Sequence, residues 1–176
     1  MYVELKTKRL LLRPVMFSDW EDVHDYASST ENTQYMTFMP NETVGETQDY
    51  LRKAEVQWQL EKPLVYDFAV TLENKVIGAV SVMIHPDGTQ GEMGWIIHRD
   101  YWNKGYATEA ANAVKEYAIR TLKLQRLIAT CDARNIPSSR VMEKLFFRME
   151  SEYEGRFYPK TGEKSRERLY SIILSD

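Results

Sequence analysis

The period of the apolar positions changes several times along this chain, and each change marks an element. Leu10, Leu11 and Leu12 form an apolar run closed by Pro14, which predicts a first strand over Lys8–Pro14. Ser18 then opens a helix predicted to reach Ser28. Asp19, Glu21 and Asp22 stand in its first turn, where carboxylates favour the positive end of the dipole. Val44, Thr47, Leu51, Ala54 and Trp58 recur at spacings of three and four, giving one mostly apolar stripe on a helix over Thr43–Glu61. Thr43 and Glu46 have capping-box spacing at its start.

Strand signals follow. Tyr66–Thr71, Lys75–Ile84 and Gln90–His98 read as an antiparallel meander, turned at Glu73-Asn74 and at His85-Pro86-Asp87-Gly88. Gly94 lies inside the third strand, where a glycine weakens the ladder and predicts a bulge or a close backbone approach. Helical period returns after Gly105. Ala107, Ala110, Ala111, Val114, Ala118 and Leu122 share one face, with Glu109, Lys115 and Glu116 off it. Arg126–Cys131 reads as a strand parallel to the last of the meander, completing a β–loop–α–β crossover. A short helix over Asn135–Leu145 and strands near Arg148–Tyr153 and Arg166–Leu174 close the chain. The order predicts a mixed α/β fold, a sheet with helices on both faces.

Composition narrows this picture. A length of 176 residues suits a single domain over 1–176, and 43% hydrophobic with 28% charged residues is ordinary globular usage. The net charge of −3 gives no electrostatic case for nucleic acid. Cys131 is the only cysteine, so no intramolecular disulfide forms and an oxidising compartment has no support. The N-terminal MYVELKTKRLLLRP has no apolar core of signal-peptide length. The longest apolar stretch, Val76–Ile84, is interrupted by Gly78 and Ser81 and is too short for a membrane. A cytoplasmic protein is expected. His24, His85 and His98 are too scattered for a metal site or a triad, so no metal is expected.

Candidate chemistry concentrates in Glu92–Ala110, EMGWIIHRDYWNKGYATEA. A strand leads through a turn into a glycine loop that runs directly into a helix. Unpaired N–H groups and the positive dipole end make such a helix start an anion site, suited to the pyrophosphate of a phosphate-bearing cofactor. The spacing is not that of a nucleotide P-loop, since Gly105 is followed by Tyr106.

These residues resemble the acetyl-CoA-binding motif of the GNAT acetyltransferase superfamily, whose loop is usually written Q/R-x-x-G-x-G/A. Here it is Trp102-Asn103-Lys104-Gly105-Tyr106-Ala107, then Thr108-Glu109-Ala110. The branch that includes ribosomal-protein N-terminal acetyltransferases is the most similar, with R-G-x-G-Y-A-T-E-A. Asn135-x-x-Ser138 and Glu143-Lys144-Leu145-Phe146-Phe147 are similar to its N-x-x-S and E-K-x-G-F, and TKRLLLRP to its first strand. Trp102 stands in place of Gln or Arg, and Asn103 and Phe146 each in place of a glycine.

The resemblance implies a GNAT-like fold: a predominantly antiparallel twisted sheet with a splayed central parallel strand pair. It implies acetyl-CoA as cosubstrate and direct acetyl transfer to a primary amine, either a protein N-terminus or a small molecule. A non-catalytic acyl-CoA sensor is the alternative. The backbone of Asn103, Lys104, Gly105, Tyr106, Ala107 and Thr108 would cradle the pyrophosphate, with Arg99 and Arg140 as candidates for the 3′-phosphate. The pantetheine arm would lie along Trp95, Ile96, Ile97 and His98 like an added strand, with Asn135 bonding to it. Ser138 would protonate the departing thiolate, a role that a local structural hydroxyl competes with. Amine acylation also needs a proton acceptor. Glu92 is the first candidate, directly or through water, and Glu109 the second. Trp95, Tyr101, Trp102 and Tyr106 offer an aromatic wall or simply core. The acceptor's identity stays open, as do monomer and homodimer.

Overall fold

The architecture comes from a computed structural model, which describes residues 3–173. The chain opens with β1 (Leu5–Lys6) and β2 (Leu11–Pro14). A 3-10 turn over Phe17–Asp19 leads into α1 (Trp20–Ala27), followed by the single turn α2 (Thr30–Thr33) and the long α3 (Val44–Gln59). Thr43 caps α3 by accepting from the Glu46 N–H at 3.2 Å. The Glu46 carboxylate reaches one residue further back than a capping box requires, accepting from the Glu42 N–H at 2.9 Å.

The meander is β3 (Val65–Leu72), β4 (Lys75–Ile84) and β5 (Gln90–Ile97). Glu73 and Asn74 both take positive φ, as a tight two-residue hairpin demands. Beyond β5 come a 3-10 turn over Arg99–Tyr101, α4 (Tyr106–Arg120), β6 (Arg126–Asp132) and α5 (Ile136–Lys144). The hairpin β7 (Arg148–Tyr158) and β8 (Glu163–Ile173) ends the described chain, and Leu174 lies outside it.

Eight strands form one sheet in the order β1-β2-β3-β4-β5-β6-β8-β7. Every neighbouring pair is antiparallel except β5 with β6. One face packs on α4 and α5 through Val80, Met93, Ile97, Ala111, Val114, Leu127 and Met142. The other packs on α1 and α3 through Val15, Val23, Leu51, Ala54, Ala69 and Val76. The two clusters follow from the alternation of side chains along each strand, which sends neighbours to opposite faces.

Two expectations are corrected. Lys115 is not on the solvent side of α4: it is 6% exposed, with its ammonium donating to the Leu145 carbonyl at 3.4 Å over the Phe146 ring. Its long apolar stem lets a charged end bridge two helices. Gly94 carries no bulge either. The β4–β5 register runs unbroken from Gly78↔Ile97 to Ile84↔Gly91, with Gly94 opposite Ser81.

Candidate active site

The sheet parts all the same, by a different device. β5 pairs with β6 only at Gln90↔Arg126, Gly91↔Leu127 and Glu92↔Ile128, while its pairing with β4 continues to Ile97. Beyond Glu92 one edge of β5 is therefore unmated. The phase of the ladder tells which groups line that edge. The His98 N–H donates to the Ile77 carbonyl at 2.8 Å. By alternation, the main-chain groups of Ile96 and His98 face β4, and those of Trp95 and Ile97 face the gap. The Ile97 carbonyl already accepts from Trp102 Nε1 at 2.6 Å and from Asn32 Nδ2 at 3.2 Å. Trp95 N–H and C=O and the Ile97 N–H remain for an added strand.

The gap opens into a cleft of about 460 Å³ that runs to the start of α4 and across to α5. Eleven predicted site residues line it: Trp95, Ile96, Ile97, Asn103, Gly105, Tyr106, Ala107, Thr108, Asn135, Ser138 and Arg140. All four aromatics of the anticipated wall, Trp95, Tyr101, Trp102 and Tyr106, line it too. His98 does not. Its ring sits under α1, with Nε2 3.2 Å from Asp25 and Nδ1 accepting from the Asp100 N–H at 3.2 Å, so it caps the 3-10 turn. The Lys104 side chain also stays out, folding back to donate to the Asp100 carbonyl at 2.9 Å.

The glycine loop has an unusual backbone. Asn103 and Gly105 both take left-handed φ, at 61° and 80°. Asn103 thus keeps the conformation of the glycine it replaces in the resembling motif, which asparagine tolerates better than most residues. Phe146 does the same at 67°, just past α5. Left-handed residues alternating with ordinary ones turn successive N–H groups to one side, a concave anion seat.

Asn135 caps α5 by accepting from the Ser138 N–H at 3.2 Å, which leaves its side-chain amide donors free for a ligand. The structural and ligand-binding readings of Asn135 are therefore compatible. Arg140 is exposed on α5 and makes no ion pair among the described residues, whereas Arg99 is committed to Glu31 at 2.6 Å. Behind β6, Cys131 is 3% exposed, and burial pushes its thiol up despite a contact with Ser139. A thiolate nucleophile is disfavoured there.

Glu92 occupies the last paired rung, at the vertex of the split. It shares parity with Ile96, whose side chain packs on the α1/α3 face, so its carboxylate lies on the face opposite α4. Thr130 Oγ1 donates to it at 3.2 Å, and no cation pairs with it among the described residues. Glu109 has a different office. Burial acts to raise its carboxyl, but hydrogen bonds from Thr7 and Arg9 outweigh that and hold it below the ordinary carboxylate range. Both oxygens are engaged by those two residues, which removes it as a proton acceptor. The carboxylates around the start of α3 are engaged as well: Glu42, just before the helix, and Glu46 lie near Lys160, and Asp49 pairs with Arg52.

Several site residues escaped the sequence reading. Glu31, Asn32, Gln34, Tyr35 and Met36 wall the cleft beside α2, whose only sequence signal is Ser29 as N-cap. Asn32 also braces the strand end, accepting from the Arg99 N–H at 2.6 Å. Further along, Arg156 of β7 donates to the Tyr35 carbonyl at 2.8 Å and Lys160 to that of Pro40 at 2.5 Å. These bonds tie the segment after α2 across the sheet to the final hairpin. Asp132 anchors that hairpin to the α5 turn. Burial opposes its ionisation, but bonds from Arg134, Ser165 and Tyr158 hold its carboxyl far below the ordinary range.

This arrangement has known counterparts. The family model described as the acetyltransferase (GNAT) domain matches residues 9–148. The chain belongs to the GNAT acetyltransferase family. An uncharacterized N-acetyltransferase of Bacillus subtilis, YnaD, is 33% identical over 173 residues, covering 97% of each chain. The solved structure of a GNAT-family acetyltransferase from Bacillus anthracis is 34% identical with a TM-score of 0.85, over 97% of this chain and 98% of that one. RimL, a ribosomal L7/L12 alpha-N-protein acetyltransferase solved with coenzyme A, shares the fold at a TM-score of 0.86 and 17% identity, covering 98% of both chains. As a GNAT protein, this chain is an acyltransferase of the N-acetyltransferase type, and its split mixed sheet is the GNAT fold. No helix among the described residues is long and apolar enough to cross a membrane.

Proposed function

We propose that the chain, acting as one domain, transfers the acetyl group of acetyl-CoA directly to a primary amine. The observation that carries this reading is the loss of β5–β6 pairing after Glu92 beside a cleft that ends at the Gly105 loop. The N–H groups of residues 103–108 receive the pyrophosphate. The pantetheine arm pairs with the free main-chain groups of Trp95 and Ile97, and Asn135 donates to it from the other wall. Arg140 takes the 3′-phosphate, a role for which Arg99 is unsuited because Glu31 occupies it. Lys104 contributes through its N–H, and His98 holds the turn that aims the loop.

The cofactor enters from the α4 side and the acceptor from the α1/α3 side, so the two meet in the split. There the amine nitrogen attacks the thioester carbonyl carbon, and an N–H on the unmated edge of β5 steadies the oxygen as it gains charge. Glu92 takes the amine proton, directly or through a water, while the C–S bond breaks. Ser138 returns a proton to the departing sulfur. A thiolate with an ordinary pKa near ~8.5 needs little assistance to leave. The acceptor is a primary amine of a peptide N-terminus or a small molecule. Its passage runs beneath the segment tied down by Arg156 and Lys160.

Release of CoA thiol, followed with a panel of N-terminal peptides and small amines, tests the reading. Turnover with at least one amine is expected. A chain that binds acetyl-CoA but acetylates none of them is a sensor instead.

A further inference from the structure

Gly105 presents an N–H to the cleft only if the peptide joining it to Lys104 is turned the right way, and the loop does not fix that turn alone. Arg9, in the link between β1 and β2, donates from Nη1 to the Lys104 carbonyl at 2.8 Å. In a trans peptide the carbonyl and the following N–H point in opposite directions. Holding the Lys104 oxygen toward Arg9 therefore aims the Gly105 N–H away from Arg9. Arg9 lines neither the cleft nor the groove beside it, whereas Gly105 lines both.

The guanidinium is itself held in register. Its Nε donates to Glu109 Oε2 at 2.7 Å, its main-chain N–H donates to Oε1 at 2.9 Å, and its plane covers the Tyr106 ring at 4.4 Å. Thr7 Oγ1 donates to Glu109 Oε1 at 2.6 Å, completing the brace. A planar fork holds a carboxylate and a carbonyl in one fixed relative orientation, whereas an ammonium on a flexible stem holds its acceptors with no such planar constraint. The brace spans a hundred residues of sequence and ends on Lys104, Tyr106 and Glu109, all in the loop and first turn of α4.

We infer that Arg9 is a positioning residue for the diphosphate of the cofactor, acting through the Lys104–Gly105 peptide. The inference rests on the acetyl-CoA reading above. Calorimetric titration of the full chain with CoA and with pantetheine, which has the arm but no diphosphate, tests it. Arg9→Ala is expected to weaken CoA about 10- to 100-fold, the worth of one or two hydrogen bonds to a charged group. The ratio of CoA to pantetheine affinity should shrink by the same factor. A loss shared equally by both ligands, or no loss, overturns the inference. Arg9→Lys keeps the charge and the stem and should fall between wild type and Arg9→Ala, so it serves where the alanine variant fails to fold. The wild-type chain separates the premise from the inference. If it binds CoA no more tightly than pantetheine, the cradle itself is wrong. If it prefers CoA and both Arg9 variants keep that preference unchanged, only the role of Arg9 is wrong.

Discussion

Asp67 is an expensive residue to keep, and the cost can be measured. It sits on β3, 9% exposed, facing α1 and α3 with no cation paired to it among the described residues. Burial raises its carboxyl from 3.8 to about 6, offset only in part by a hydrogen bond from the Tyr50 hydroxyl. The neighbouring phenols of Tyr50 and Tyr26 are pushed upward, by burial first and then by the Asp67 charge, so they stay protonated and neutralise nothing. A folded-state value above the unfolded one means the native form binds the proton more tightly. The stability this proton provides is intact below about pH 4 and is lost as pH rises through about 6. Two units at about 1.4 kcal/mol each make the ionised native state about 3 kcal/mol less stable than its protonated form. Asp67→Asn keeps the shape and an acceptor for Tyr50 while removing the charge. It should stabilise the protein by about 2–3 kcal/mol at pH 8 and by close to nothing near pH 4. Urea unfolding of both proteins at the two pH values reads the difference, in which titrations common to both cancel. A gain of equal size at both pH values, or a loss at pH 8, would refute the reasoning.

Other changes address the site and its frame. Glu92→Gln should lower kcat at least about 100-fold if the carboxylate is the proton acceptor, with CoA affinity by calorimetry unchanged; preserved kcat would shift the role to water or another group. Gly105→Asp builds a Cβ 3.4 Å from Arg9 Nη2 at a φ of 80°, so its carboxylate competes for the guanidinium that holds the loop and should weaken CoA binding about 10-fold or more by calorimetry, with a lower Tm from the strained backbone; unchanged affinity would mean that the loop conformation does not set the anion seat. Phe146 is 76% exposed at a φ of 67°, a conformation that disfavours any residue with a Cβ. Relief of about 1–2 kcal/mol of strain, less the extra backbone entropy of glycine, predicts that Phe146→Gly stabilises by up to about 1 kcal/mol in thermal unfolding. Destabilisation would mean that the contact of its ring with Lys115 outweighs the strain.

Much of the scaffold was legible because short-range periodicity encodes it. Lys75–Ile84 matches β4 residue for residue, and the crossover through α4 into β6 followed from period and turn chemistry alone. The loop residues Asn103–Thr108 were legible for a related reason: a glycine loop at a helix start is a local object, whose preference for an anion is expected from its own main chain, whereas Asn135, Ser138 and Arg140 lie on another element and were picked out by the family resemblance. Gly94 shows where local reasoning fails. A glycine in a strand predicts a bulge, but the sheet opens through the divergence of β6 after Ile128, which no pattern within β5 records. Lys115 fails similarly, since only the docking of Leu145 and Phe146 gives its ammonium a buried partner.

The sequence by itself therefore determined most of the elements, their order and the glycine loop at the start of α4, because each depends on residues within a turn or two of one another. Only the tertiary structure decided which edge of β5 is free, which face of the sheet carries the Glu92 side chain, and that Arg9 and Asn32 hold the loop before α4 and the end of β5. Those depend on ladder phase and on contacts between residues 65 to 100 positions apart, where nothing in the local pattern reports which groups will meet.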